Sequence, residues 1–216
     1  MDRYVLEDAP EVLAEELAAR LRAGEVGILP TETVHGLVAA AESAEGCARL
    51  IAIKGREPGK KCQVLISDLS ALPHLRIPQT PLLEALANAF WPGPLTLVMV
   101  DKNGDTQGLR IPDHPFTLAV LRALNAAILA TSANPAGGSP AESLSKGFSD
   151  LLEEPDFVVQ GAVGEGHAST VARLRDEQFE ILRPGPISLA ALNAIRDQTC
   201  LTKSAPTPLS SSAPLR

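Results

Sequence analysis

Aromatic residues are scarce in this chain: one Trp, one Tyr and five Phe make up 3% of its 216 residues. Leu, Val, Ile and Ala must fill whatever core it builds, and a nucleic-acid surface made of stacked aromatic platforms is disfavoured. Cysteine is rarer still. Cys47, Cys62 and Cys200 are odd in number and widely spaced, and no Cys-x-x-Cys occurs. This argues against a disulfide framework or a zinc site and fits a reducing compartment. No apolar run approaches the ~18 residues of a membrane span. The first seven residues carry two acids and no apolar signal core. Positive charge is in deficit too: 19 Lys and Arg against 26 Asp and Glu leave a formal net charge of -7. Binding of RNA, DNA or acidic membranes through the whole surface is therefore disfavoured, although a local basic pocket is not. The expectation is a cytoplasmic protein with no membrane partner.

What is present is ordered. Apolar residues make up 45% of the chain, enough for a sizeable core in one large domain or two small ones. Leu13, Leu17 and Leu21 repeat every four residues between Pro10 and Gly24, which predicts a helix over 10–23. Further helices are expected over 43–53 (capped by Ser43, with Ala48, Ile51 and Ala52 inward), 82–90, 116–124, 142–152 and 188–196. Strands are expected over 26–29, 63–67, 95–100, 106–111, 127–130, 157–159, 169–174 and 177–182, with a turn at 161–166. Helices and strands interleave, so the class is α/β or α+β, and the late hairpin favours a mixed sheet. From about Gln198, Ser, Thr and Pro dominate and the apolar period is lost. Residues 1–197 are read as one domain and 198–216 as a disordered tail.

Four stretches carry chemistry. Pro30-Thr31-Glu32-Thr33-Val34-His35-Gly36-Leu37 ends a buried strand in small hydroxyl residues, either an ordinary capped turn or the rim of a pocket. Lys54-Gly55-Arg56-Glu57-Pro58-Gly59-Lys60-Lys61 holds four cations in eight residues. An isolated charge run is ordinarily a solvated loop. Here glycine and proline oppose helix, and a shaped loop of Arg and Lys suits a polyphosphate. The G-x-x-x-x-G-K-[ST] spacing is absent. Arg110 lies between Leu109 and Ile111, so alternation turns it away from both, toward solvent or a cleft. Thr131 to Pro140 is a polar, glycine-rich loop that could hold a nucleotide or simply connect two elements.

Together with Trp91-Pro92-Gly93-Pro94-Leu95-Thr96, Arg110-Ile111-Pro112, Thr131-Ser132-Ala133-Asn134, Ser169-Thr170-Val171 and Arg183-Pro184-Gly185, these motifs closely resemble the YrdC-like family over roughly residues 10–197. The resemblance implies a twisted mixed sheet with flanking helices and a large concave positive cleft. It also implies a nucleotidyltransferase reaction, in which L-threonine, bicarbonate or carbon dioxide, and ATP give threonylcarbamoyl-AMP and pyrophosphate. Magnesium would accompany the ATP. A separate transferase complex would then carry the threonylcarbamoyl group to tRNA.

By resemblance, Thr33, Arg110, Ala130 and Ser169 contact threonine. Arg56, Lys60, Thr106, Ser132, Asn134, Ser139 and Arg183 contact ATP. Lys54 joins Arg56 and Lys60 in a catalytic cationic cluster, and no protein metal site is implied. The chain departs from the family where the usual tyrosine is His35 and where Glu57 separates Arg56 from Pro58. It departs again at Leu65, where some members carry a threonine-contacting histidine. A related reading is a YrdC-like paralogue that binds nucleotide or double-stranded RNA without making the intermediate, since one fold serves several activities. Monomer and homodimer are equally compatible with the sequence.

Overall fold

The computed structural model describes residues 1–6, 10–57, 60–161 and 167–204. Its ten strands are β1 (Asp2–Val5), β2 (Gly27–Leu29), β3 (Gly36–Ala40), β4 (Gln63–Leu65), β5 (Leu95–Val100), β6 (Thr106–Arg110), β7 (Ile128–Ser132), β8 (Phe157–Gln160), β9 (Thr170–Arg175) and β10 (Gln178–Arg183). They form one sheet in the order β1-β8-β2-β3-β7-β4-β6-β5-β9-β10. Parallel pairs such as β4 with β6 and β5 with β9 alternate with antiparallel ones such as β3 with β7 and β5 with β6. The mixed α/β sheet with flanking helices is therefore present.

The helices are α1 (Pro10–Arg22), α2 (Ala44–Lys54), α3 (Pro81–Phe90), α4 (Pro115–Leu124), α5 (Pro140–Ser145) and α6 (Leu189–Ser204). Local chemistry sets their ends. The Ser43 hydroxyl accepts from the Gly46 amide at 3.0 Å and opens α2. Gly55, in the left-handed region at φ 61, closes it. Thr80 caps α3, with Pro81 in its first turn. α1 packs on α4, α3 on α6, and α2 on β3. One large core gathers Leu17, Leu21, Leu86, Leu97, Leu109 and Leu121. A smaller one sets Leu50 and Ile53 of α2 against Ile28, Leu37 and Val158.

Several expectations are corrected. Ala48, Ile51 and Ala52 are exposed, and α2 instead buries Gly46, Leu50, Ile53 and Lys54. The two large aliphatics Leu50 and Ile53 fix the helix phase, and Ile51 lies about 100° around from Leu50. β1 and β3 were not read from the sequence. β3 is buried along its whole length, so it shows no alternation, and β1 is a largely exposed edge strand. The helix expected over 142–152 is the shorter α5, because Gly147 and Phe148 both adopt positive φ and end it. The last helix does not stop at Arg196 but continues to Ser204, so the start of the expected tail is helical. Residues 205–216, 162–166 and the Pro58-Gly59 step of the basic loop lie outside the described residues.

Register explains how the sheet makes a floor. Ala130 pairs with Gln63, Gln63 with Gly108, and Gly108 with Val98, a row across β7, β4, β6 and β5. Residues directly opposite one another share a face. Their chain neighbours Leu97 and Leu109 point to the other face and are fully buried in the core. Apart from Val98 the row carries small or polar side chains, which leaves space above it.

Candidate functional site

Above that row lies an open cavity of about 470 Å³. Its wall includes Thr33, Arg56, Arg110, Ser132, Ser169 and Arg183, from six separate segments of the chain. Arg110 is the last residue of β6 and is 2% exposed. The alternation argument was right about its direction, and the face it meets is the cavity. Its Nε donates to the Gly93 carbonyl at 3.2 Å, and the Gly93 amide donates to the Ile111 carbonyl at 2.9 Å. The Trp-Pro-Gly-Pro turn thereby holds the arginine stem. A Cβ at Gly93 would come within 2.5 Å of the Phe90 carbonyl oxygen, so no larger residue fits that approach.

Arg110 Nη2 donates to the Thr33 hydroxyl at 2.9 Å. Thr33 also lies 2.9 Å from the Thr31 hydroxyl. The single Thr31 proton goes to the Val34 carbonyl at 2.6 Å, so Thr33 must be the donor to Thr31. Thr33 therefore spends its proton inside the turn and offers the cavity only a lone pair. Arg110 Nη2 is also 2.6 Å from Glu32 Oε1. Both Glu32 oxygens are buried, and neither accepts an aligned hydrogen bond among the described residues. The carboxylate is thus held by charge alone.

A second relay approaches from the other side. Arg183 Nη2 donates to the Ser169 carbonyl at 2.9 Å and to the Ser169 hydroxyl at 3.0 Å. Gly185 makes this possible, since a Cβ there would lie 2.4 Å from the Thr170 amide nitrogen. The Ser169 hydroxyl is 2.9 Å from that of Thr96, which donates to Gln63 Oε1 at 3.1 Å. Burial, and then the charge of Arg110, lower the Arg183 pKa.

The basic loop separates into different roles. Arg56 lines the cavity and donates to the carbonyls of Lys60 at 2.8 Å and Lys61 at 2.7 Å, and to the Thr131 hydroxyl at 3.3 Å. Lys61 also lines the cavity, and its ammonium donates to the Thr106 carbonyl at 2.9 Å. Two of the expected cations do not face the cavity. Lys54, expected among the cations facing the phosphates, is buried at the end of α2 and does not line the cavity. Its ammonium donates to the Ser132 carbonyl, the Ser132 hydroxyl and Asn134 Oδ1 at 2.7, 3.2 and 3.0 Å. Burial, then the Arg56 charge, lower its pKa to about 8. Lys60 points away, its ammonium 2.6 Å from Glu57 with both side chains largely exposed. Only its carbonyl serves the site, by holding Arg56.

Asn134 braces the glycine-rich loop by donating to the carbonyls of Pro135 and Gly138 at 2.7 and 2.8 Å. Ser132, Asn134, Thr106 and Ala130 all line the cavity, together with Thr33, Arg56, Arg110, Ser169 and Arg183. Ser139 does not; its carbonyl accepts the first α5 amide bond, from Ser143, at 3.1 Å. Sequence reading gave no individual role to Gln63, Thr96, Thr131 and Cys62, which lie in the wall, or to Glu32 behind it. Strand alternation gives Gln63 and Thr96 each a face of the sheet but not a neighbour across it. Burial raises the Cys62 thiol pKa although Arg56 and Lys54 act to lower it. His35 is buried against Phe148, and burial with the nearby His114 charge lowers its pKa to about 4. Leu65 is fully buried and outside the cavity wall.

Fold and cavity together define an α/β protein with an open ligand basin across one face of a mixed sheet. The Sua5_yciO_yrdC family model, described as "Telomere recombination", matches residues 19–185, and the chain belongs to that family. A threonylcarbamoyl-AMP synthase of Bacillus subtilis (strain 168) is 34% identical over 191 residues, covering 83% of this chain and 55% of the relative. A putative threonylcarbamoyl-AMP synthase of Mycobacterium tuberculosis (strain ATCC 25618 / H37Rv) is 31% identical over 178 residues, covering 78% of this chain and 82% of that one. The crystal structure of P. abyssi Sua5 complexed with L-threonine superposes with a TM-score of 0.79 at 28% identity, covering 90% of this chain and 60% of that chain. The chain thus spans little more than half the length of the Bacillus relative. E. coli YciO shares the fold, with a TM-score of 0.72 at 20% identity.

Proposed function

We propose that this chain is a threonylcarbamoyl-AMP synthase, which makes L-threonylcarbamoyladenylate and pyrophosphate from L-threonine, bicarbonate or carbon dioxide, and ATP. The observation that carries this reading is the buried Arg110 guanidinium beside the Thr33 hydroxyl, in one cavity with Arg56, Lys61 and Arg183. An arginine beside a hydroxyl that only accepts suits a ligand with a carboxylate and with N–H or O–H donors. An amino acid with a side-chain hydroxyl meets that description. The similarity to the threonine-bound P. abyssi structure supports the same assignment.

In the proposed reaction the threonine amine adds to carbon dioxide and loses a proton, which leaves a carbamate anion. A carbamate oxygen attacks the α-phosphorus of ATP, the bond from that phosphorus to the bridging oxygen breaks, and pyrophosphate leaves. The nucleophile is already anionic, so no strong base is required at the phosphoryl step. The difficulty is the meeting of two anions. The cations in the cavity wall act against it, and among the described residues no carboxylate lines the cavity. Arg56, Arg183, Thr106, Ser132 and Asn134 are assigned to ATP; Thr33, Arg110, Ser169 and the Ala130 backbone are assigned to threonine. Lys54 acts by positioning Ser132 and Asn134. Among the described residues no group of three or more His, Cys, Asp or Glu is placed to hold a metal ion. Magnesium would enter as part of the ATP complex and add countercharge there.

The product is an activated acyl group, and the proposal places its consumer in a separate transferase that modifies tRNA. A cytoplasmic setting follows from that role. The outer-strand arginines Arg173 and Arg175 are paired with Glu180 and Asp176, which favours indirect rather than direct dealings with RNA. The test is pyrophosphate release by the purified chain. Release that requires both L-threonine and bicarbonate supports the proposal. ATP binding without such release refutes it in favour of a nucleotide- or RNA-binding paralogue.

A further inference from the structure

We infer that Gln63 is a positioning residue that sets the amino-acid selectivity of the cavity, by fixing Ser169 as a hydrogen-bond acceptor toward the substrate side chain. The inference rests on the threonine reading above and extends it to a residue outside the recognised motifs. Gln63 stands on β4 in the registered row of the floor, between Ala130 and Gly108, and lines the cavity. Its amide oxygen takes the Thr96 proton at 3.1 Å. A hydroxyl has one proton to give. With that proton spent on Gln63, Thr96 can only accept from Ser169, 2.9 Å away. Ser169 therefore turns its own proton away from the cavity. One of its lone pairs is filled by Arg183 Nη2 at 3.0 Å, and the other is left for a ligand that donates.

The direction of the chain depends on the amide. With its nitrogen toward Thr96, Gln63 would donate, Thr96 would donate to Ser169, and the Ser169 proton would be released into the cavity. The site would then favour an acceptor on the ligand. As arranged, Arg183, Ser169, Thr96 and Gln63 form one oriented relay ending on a carbonyl oxygen. Thr33 is already tied to Arg110, and so lies beside the substrate carboxylate and its neighbouring amine. Ser169 is left to accept from the side-chain hydroxyl. A site built to pair a hydroxyl rejects analogues that lack it, because its own polar group is otherwise left unpaired.

The test compares equilibrium binding of L-threonine and L-valine, which replaces the hydroxyl by methyl, to the full chain. Kinetic constants for threonine-dependent pyrophosphate release are measured alongside. The variants are Gln63→Met, which keeps the length and removes the acceptor, and Gln63→Glu, which can only accept. Gln63→Met is expected to lower the threonine-over-valine preference about tenfold, mainly through the KM for threonine. Gln63→Glu is expected to keep most of the preference. Thr96→Val breaks the relay one residue earlier and should reproduce the Gln63→Met result, which covers the case in which the Met variant does not fold. An unchanged preference in Gln63→Met or Thr96→Val overturns the inference, and so does an equal loss in Gln63→Met and Gln63→Glu. Wild-type protein with no preference for threonine over valine overturns the threonine reading itself, before any variant is compared.

Discussion

Lys54 holds Asn134 from beneath the cavity, its ammonium 3.0 Å from the Asn134 Oδ1 and out of reach of solvent. The same nitrogen serves both oxygens of Ser132, so all three of its protons are used. With a pKa lowered to about 8, mainly by burial, the amine loses a proton just above neutrality and keeps two donors for three acceptors. ATP affinity is expected to fall as pH rises through about 8. Lys54→Met should bind ATP weakly at every pH, with that dependence gone. Stability should move the other way. The folded pKa lies below the usual lysine value of 10.5, so the cost of burying the charge is fully present below pH 8 and is relieved between pH 8 and 10.5. ATP titrations and denaturant melts at pH 7 and 9 separate the two effects. Affinity and stability falling together would contradict this account.

Arg110→Ala removes the proposed carboxylate anchor and also leaves Glu32 as a buried, unpaired charge. Breaking such a pair from one side costs about 3–5 kcal/mol. The double variant Arg110→Ala/Glu32→Ala should recover most of that stability and none of the threonine binding. Chemical denaturation and threonine titration of the three proteins check both halves. Recovered threonine binding in the double variant would show that Arg110 is not the anchor.

Much of the site was readable because its chemistry is local. The hydroxyl turn at Thr31 to Thr33, the forked cation Arg56 and the Ser132 to Asn134 loop are each short motifs with their own physical signature. Alternation alone turned Arg110 away from the core. Burial was less readable. Lys54 and Arg56 look alike as a charge run, yet one lies under the loop and the other faces the cavity, because α2 carries Lys54 on its buried face. Gln63 and Thr96 could not be placed because their role depends on register between β4, β6 and β5, which one strand does not reveal. β3 lacks any alternation to read, and the stop at Gly147 and Phe148 depends on backbone conformation rather than on apolar period.

His35 is packed against Phe148 with ring centroids 5.4 Å apart. Burial, aided by the charge of His114, lowers its pKa from 6.5 to about 4, so the folded protein holds it neutral. The unfolded chain binds the extra proton between those values. The resulting stability is fully present above pH 6.5 and is lost as pH falls toward 4, amounting to at most about 3 kcal/mol. His35→Phe should flatten this part of the stability curve while leaving stability at pH 7.5 nearly unchanged. Denaturant melts at pH 7.5 and 4.5 provide the comparison. Equal acid losses in wild type and variant would assign the effect to other groups.

Arg56 does two things that different substitutions can separate. Its charge faces the cavity, and its fork fixes the carbonyls of Lys60 and Lys61. Lys61 in turn bridges to the Thr106 carbonyl on β6, so the fork also places a second cation in the wall. Arg56→Ala loses both and should reduce threonine-dependent pyrophosphate release at least about a hundredfold, as expected when electrostatic stabilisation of a developing charge is removed. Arg56→Lys keeps the charge but lacks the planar fork whose separate nitrogens, Nε and Nη2, reach the two carbonyls. It should retain much of the ATP binding and lose most of the turnover, because the attacking and leaving groups are no longer held in line. Steady-state kinetics with ATP titration distinguish these results. Near-wild-type turnover in Arg56→Ala would remove Arg56 from the proposed mechanism. Full turnover in Arg56→Lys would mean that charge alone matters and that fixing the loop does not.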